Sequence, residues 1–133
     1  MKTLNLLLVD DEAEFVRTLA ERLQLRGFEI RTAGDGEEAM SRIGDHRPDM
    51  VVLDVMMPGI GGLEVLRQIK LEHPQLPVIL LTGRGSTADG MEGMRLGAFD
   101  YLMKPIDIDE LIQKIHEGIT AVQTGEDKPD AGR

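Results

Sequence analysis

Three aspartates and one lysine carry the chemistry legible in this chain. Asp10 and Asp11 close the apolar run Leu4-Asn5-Leu6-Leu7-Leu8-Val9, Asp54 closes Met50-Val51-Val52-Leu53, and Lys104 follows Tyr101-Leu102-Met103. Carboxylates gathered at one place repel each other unless a cation joins them. Oxygen ligands, with no Cys and no clustered His, suit a hard ion, Mg²⁺ first. A carboxylate beside Mg²⁺ and a lysine ammonium is a place to hold, or to accept, a phosphoryl group. His46, His73 and His116 are scattered without metal-ligand spacing and read as surface residues.

The elements that must position these groups follow from hydrophobic periodicity. Short apolar runs alternate with amphipathic stretches five times, giving expected strands at 4–9, 29–33, 50–54, 78–82 and 100–103 and expected helices at 13–26, 37–46, 62–72, 87–96 and 107–122. Phe15, Leu19 and Leu23 recur at helical spacing, as do Leu111, Ile115, Ile119 and Val122. Gly27 marks the end of the first helix, Asp107 caps the start of the last, and Pro74 and Pro77 precede the fourth strand. Uninterrupted apolar strands such as Val78-Ile79-Leu80-Leu81 are buried on both faces, the mark of a parallel sheet covered by helices. Five βα units make an α/β fold, a doubly wound, three-layer sandwich. Its strand C-termini converge on one edge, where ligands bind and where all four charged residues fall. The fourth helix carries Gly90 and Gly93 in its interior, each costing about 1 kcal/mol of helix stability relative to Ala, and reads as the weakest helix and a moving part.

Composition narrows the partners. The chain has 133 residues, enough for one domain with a real core. Its net charge of −9 lacks the basic footprint that nucleic acid or an anionic membrane requires. Aromatics at 3%, with no Trp, exclude base-stacking platforms, and the absence of Cys removes disulfides and thiol chemistry together. The apolar start is too short for a secretory signal and runs straight into Asp10-Asp11-Glu12, and no run reaches membrane-spanning length, so a soluble cytoplasmic protein is expected. Residues 1–122 read as the folded domain and 123–133 as a disordered, polar tail.

Taken in order, Val9-Asp10-Asp11-Glu12, Asp54 with Met57-Pro58-Gly59, Thr82-Gly83 and Gly97-Ala98-Phe99-Asp100-Tyr101-Leu102-Met103-Lys104-Pro105 closely resemble the receiver domains of two-component response regulators. The resemblance spans residues 4 to about 122. It implies a flavodoxin-like strand order of 2-1-3-4-5 and a signalling switch, not an enzyme, with a single-domain, chemotaxis-regulator-like form. By resemblance, Asp54 accepts a phosphoryl group from a histidine kinase or histidine phosphotransfer protein. Asp11, Asp54 and the backbone carbonyl of Met56 hold Mg²⁺, with Asp10 acting mostly through a water. Lys104 pairs with a phosphoryl oxygen, Thr82 moves toward it, and Tyr101 turns into the space vacated. The readout is the face of the fourth helix, fifth strand and fifth helix, which engages a downstream protein and admits a homodimer. A cis bond before Pro105 is also implied.

Some positions depart from common family choices. Gly61 stands where an Asp is frequent, and Met56 and Arg84, two residues beyond Asp54 and Thr82, occupy positions that tune phosphoryl lifetime in the family. A bulky Met56 and a long Arg84 shield the site, so a long-lived phosphoryl state is expected. Three rivals fall away. Gly83-Arg84-Gly85-Ser86-Thr87-Ala88 fits a loose dinucleotide fingerprint, but follows the fourth strand and lacks the acidic ribose ligand on the next. A flavodoxin needs a hydroxyl-rich phosphate loop where Asp10, Asp11 and Glu12 stand. An aspartyl phosphohydrolase needs a cap domain and a second acid where Val55 and Met56 lie. Two uses remain open beside the phosphorylation switch: a receiver cut from a larger regulator, or a phosphorylation-independent interaction module.

Overall fold

The computed structural model describes residues 3–57, 61–83 and 87–125. Strands and helices alternate throughout: β1 (Asn5–Val9), α1 (Ala13–Leu25), β2 (Glu29–Ala33), α2 (Gly36–Asp45), β3 (Met50–Asp54), α3 (Gly62–Glu72), β4 (Val78–Thr82), α4 (Thr87–Arg95), β5 (Asp100–Met103) and α5 (Ile108–Thr124). All four strand pairings are parallel, in the order β2-β1-β3-β4-β5 expected from the resemblance. Growth of the sheet reverses beside β1, and this topological switch opens a crevice at the C-terminal edge.

Side chains alternate across the sheet, so each central strand feeds two cores. Leu7, Val9, Val51, Leu53 and Leu80 pack with Ala39 and Ile43 of α2 and Val65, Leu66 and Ile69 of α3. Their neighbours Leu6, Leu8, Met50, Val52, Ile79 and Leu81 pack with Val16, Leu19 and Leu23 of α1 and Leu111, Ile115 and Ile119 of α5. Burial on both faces explains the unbroken apolar runs of β1, β3 and β4, whereas β2 (EIRTA), paired only with β1, is largely polar.

Helix ends agree with the local chemistry. Gly27 adopts φ +94° after α1, a left-handed geometry that disfavours residues with a Cβ. The Asp107 carboxylate accepts from the backbone N–H groups of Asp109 and Glu110 at 2.9 and 3.2 Å, capping α5. That helix continues to Thr124, so it takes up the first two residues of the expected tail. Thr124 Oγ1 donates to the Thr120 carbonyl at 3.0 Å, and Gly125 ends the helix at φ +74°. Residues 126–133 of that tail lie outside the described residues. The Lys104–Pro105 bond is cis.

Packing adds detail to two expectations. In α1 the buried trio is Val16, Leu19 and Leu23, while Phe15 is half-buried beside it. In α4 the glycines are packing residues. A Cβ at Gly90 would stand 2.5 Å from the Tyr101 ring, and one at Gly93 would collide with Leu80 Cδ1. The poor helix propensity is thus exchanged for a close approach of α4 to the sheet.

Candidate functional site

The register of the central strands builds the acidic cluster. Val9 pairs with Leu53, so the next residues, Asp10 and Asp54, emerge side by side at the C-terminal edge. Asp10 remains in the ladder through its N–H, which donates to the Ala33 carbonyl at 3.0 Å. Its Oδ1 accepts from the Glu12 N–H at 3.0 Å and turns the chain into α1, leaving Asp11 exposed at the bend. Asp54 is buried and accepts from the Met56 N–H at 3.3 Å. One carboxylate oxygen from each of Asp10, Asp11 and Asp54 lies within 4.8 Å of the others.

Lys104 reaches this cluster from two strands beyond β3. Its backbone N–H donates to the Thr82 carbonyl at 2.8 Å, which anchors the end of β5 to β4. The side chain then spans the edge, placing Nζ 3.0 Å from Asp10 Oδ2, 3.2 Å from Glu12 Oε1 and 3.7 Å from Asp54 Oδ1. The ammonium also stands over the Phe15 ring, 4.2 Å from its centroid.

Electrostatics leave the cluster short of positive charge. Burial, then repulsion from Asp10, pushes the Asp54 carboxyl up from 3.8 to about 6, against the lowering effects of Lys104 and the Met56 N–H. Burial alone would lower the Lys104 pKa, but its hydrogen bond and charge contact with Asp10, then Asp54 and Glu12, outweigh burial and raise it. One lysine therefore serves several carboxylates at once. A hard divalent cation fits this donor set: all donors are oxygens, three are carboxylates, and burial and then Asp10 make Asp54 resist ionisation, which a further positive charge would ease.

The remaining expected residues surround the cluster at different distances from the chemistry. Thr82 ends β4 fully buried, its Oγ1 donating weakly to the Leu102 carbonyl at 3.5 Å. Tyr101 is half-buried on β5 with its ring against Gly90 of α4. Met56, two residues beyond Asp54, is 63% exposed. Arg84 and the centre of the Gly83–Ala88 segment, like Pro58, Gly59 and Ile60, lie outside the described residues. Gly62, by contrast, closes the loop after β3: its N–H donates to the Val55 carbonyl at 3.0 Å, and a Cβ there would collide with the Asp54 carbonyl oxygen. Sequence reasoning passed over Glu12 and Phe15 as partners of Lys104. Phe15 shares the i, i+4, i+8 spacing of Leu19 and Leu23, so its phase gave no sign of a second partner.

Fold and site together define a class, and comparison with known proteins agrees. The family model described as response regulator receiver domain matches residues 6–116, and the chain belongs to that family, the receivers of two-component signalling systems. The probable transcriptional regulatory protein TcrX of Mycobacterium tuberculosis is 40% identical over 124 residues, covering 90% of this chain and 53% of TcrX. Response regulator MprA of Mycobacterium leprae is 40% identical over 112 residues, covering 84% of this chain and 49% of MprA. This chain thus spans about half the length of the curated relatives it matches. Among solved structures, the receiver domain of NtrX from Brucella abortus aligns with a TM-score of 0.84 at 36% identity, over 86% of this chain and 98% of that one. A receiver domain protein from Clostridium thermocellum gives 0.87 at 31% identity, over 91% and 98%. Receivers of this family are signalling proteins that generally bind Mg²⁺ at an acidic pocket. No helix among the described residues is long and apolar enough to cross a membrane.

Proposed function

We propose that this chain is a phosphorylation-dependent switch in which Asp54 is the phosphoryl acceptor. The observation that carries this reading is a buried Asp54 carboxylate flanked by two further carboxylates within 4.8 Å and by Lys104 Nζ at 3.7 Å. The donor is a phosphohistidine on a sensor kinase or phosphotransfer protein. An Asp54 oxygen attacks phosphorus, a P–O bond forms as the P–N bond breaks, and the imidazole leaves with the bonding pair and takes up a proton. A Mg²⁺ ion held by Asp11, Asp54 and the Met56 carbonyl, with Asp10 acting mainly through water, would neutralise the phosphoryl oxygens. Lys104 adds a point charge to one of those oxygens, which requires it to relax its grip on Asp10. Thr82 then exchanges its weak bond to Leu102 for a phosphoryl oxygen, and Tyr101 turns toward the space left behind. The α4–β5–α5 face changes shape and binds a downstream protein or a second copy of the chain. A cytoplasmic location suits such partners, and Met56 and Arg84 would set how long the signal lasts.

The test is intact-protein mass after incubation with Mg²⁺ and acetyl phosphate. One phosphoryl adduct is expected on the wild type, none on Asp54→Ala, and none with EDTA. A folded wild type that takes no adduct would leave a phosphorylation-independent interaction module in its place.

A second reading has its own observation. Coverage of 53% and 49% of the curated relatives favours a receiver that is one part of a longer regulator. The mass of the protein recovered from its native host decides between the two: one near 14.7 kDa is expected for a free receiver and a much larger one for a multidomain regulator.

A further inference from the structure

Among the described residues, four groups surround the Lys104 ammonium, and three of them are carboxylates. Asp10 at 3.0 Å and Asp54 at 3.7 Å belong to the acidic cluster, so a divalent cation entering there competes with the lysine for both. Glu12 at 3.2 Å has a side chain 65% exposed, and its pull is screened by water and salt. The fourth group is the Phe15 ring, 4.2 Å from Nζ to centroid. Its attraction arises from a neutral quadrupole, which a bound cation does not neutralise.

The core alone does not require an aromatic at position 15. Val16, Leu19 and Leu23 form the buried stripe of α1, and Phe15, one turn before Leu19, lies at the border of that stripe, about 70° from its centre. Phe15 is partly buried and packs against that core. A leucine would serve edge packing as well, but only an aromatic face attracts an ammonium. We propose that Phe15 is a positioning residue for Lys104, whose ring keeps the ammonium at the mouth of the acidic site once a divalent cation has taken its carboxylate partners. The proposal rests on the phosphoryl-transfer reading for its consequence, but not for its geometry.

Two readouts on the full chain separate these. In NMR spectra of the wild type saturated with Mg²⁺, the Lys104 ε-methylene protons are expected upfield, shielded by the ring. That shift should vanish in Phe15→Leu and persist in Phe15→Trp. The rate of phosphorylation by acetyl phosphate at saturating Mg²⁺ should fall about 2- to 5-fold in Phe15→Leu, the factor that corresponds to ~0.5–1 kcal/mol, and recover in Phe15→Trp, with Mg²⁺ affinity unchanged. Loss of the upfield shift when Mg²⁺ is added to the wild type overturns the proposal. So does a Phe15→Leu rate equal to wild type, or an equal loss in the Leu and Trp variants, which would mark a packing role. A wild type that accepts no phosphoryl group would sink the receiver reading, and the methylene shift would still decide the role of Phe15.

Discussion

Asp54 is held in the fold at an electrostatic disadvantage. Its carboxyl titrates at about 6, against 3.8 for an unperturbed one, because burial and Asp10 disfavour the anion. The native protein therefore binds more protons at this site than the unfolded chain does between about pH 4 and 6, and the contribution of Asp54 to stability falls as pH rises through that window. Above it the loss is complete; below it the penalty is absent. In metal-free buffer at pH 7, Asp54→Asn should be more stable than wild type by on the order of 2 kcal/mol, with the advantage shrinking toward pH 4. Urea unfolding at pH 7 and pH 4.5 checks both parts. An advantage that grows on acidification would mean that Lys104, and not burial, dominates the aspartate.

The element to whose expected role the structure adds most is α4. Gly90 and Gly93 weaken the isolated helix, yet each faces a side chain from the sheet with no room for a Cβ. The Tyr101 ring fills the space that an alanine at position 90 would need, 2.5 Å from that Cβ. Gly90→Ala should therefore destabilise the protein by about 1 kcal/mol, since overpacking outweighs the gain in helix propensity. In a Tyr101→Ala background the same change should stabilise by a similar amount. Thermal melts of the four proteins report the reversal of sign, and two changes of equal sign would uncouple α4 from Tyr101. Tyr101 is the only tyrosine and there is no Trp, so tyrosine emission follows this ring alone.

For the molecule as a whole, folding brings together negative charge that a cation would relieve. Asp10 and Asp11 follow β1 and Asp54 ends β3, so the pair meets Asp54 only in the native state, and any Mg²⁺ the three hold stabilises that state by mass action. The unfolding midpoint of the wild type should climb steadily with Mg²⁺ concentration. Asp11→Ala, at an exposed position, should blunt that rise while leaving the metal-free midpoint nearly unchanged. A midpoint in the wild type that ignores Mg²⁺ would deny the cluster a metal.

By itself the sequence determined the order of elements, the parallel sheet and the edge at which Asp10, Asp11, Asp54 and Lys104 meet. These follow from short uninterrupted apolar runs, from period-3.6 burial in the helices and from the rule that strand C-termini share one edge, all of which are local or topological. Helix ends were legible where a side chain caps its own backbone, as at Asp107, and less so at Thr124, where the last apolar residue is not the last helical one. Tertiary structure alone decided what the side chains at that edge touch. The reach of Lys104 past Asp54 to Asp10 and Glu12, its seat on Phe15, and the contact of Gly90 with the Tyr101 ring depend on strand register and helix placement to within about an ångström. Periodicity fixes which face a residue occupies, but only packing sets its distance from a residue 90 positions away.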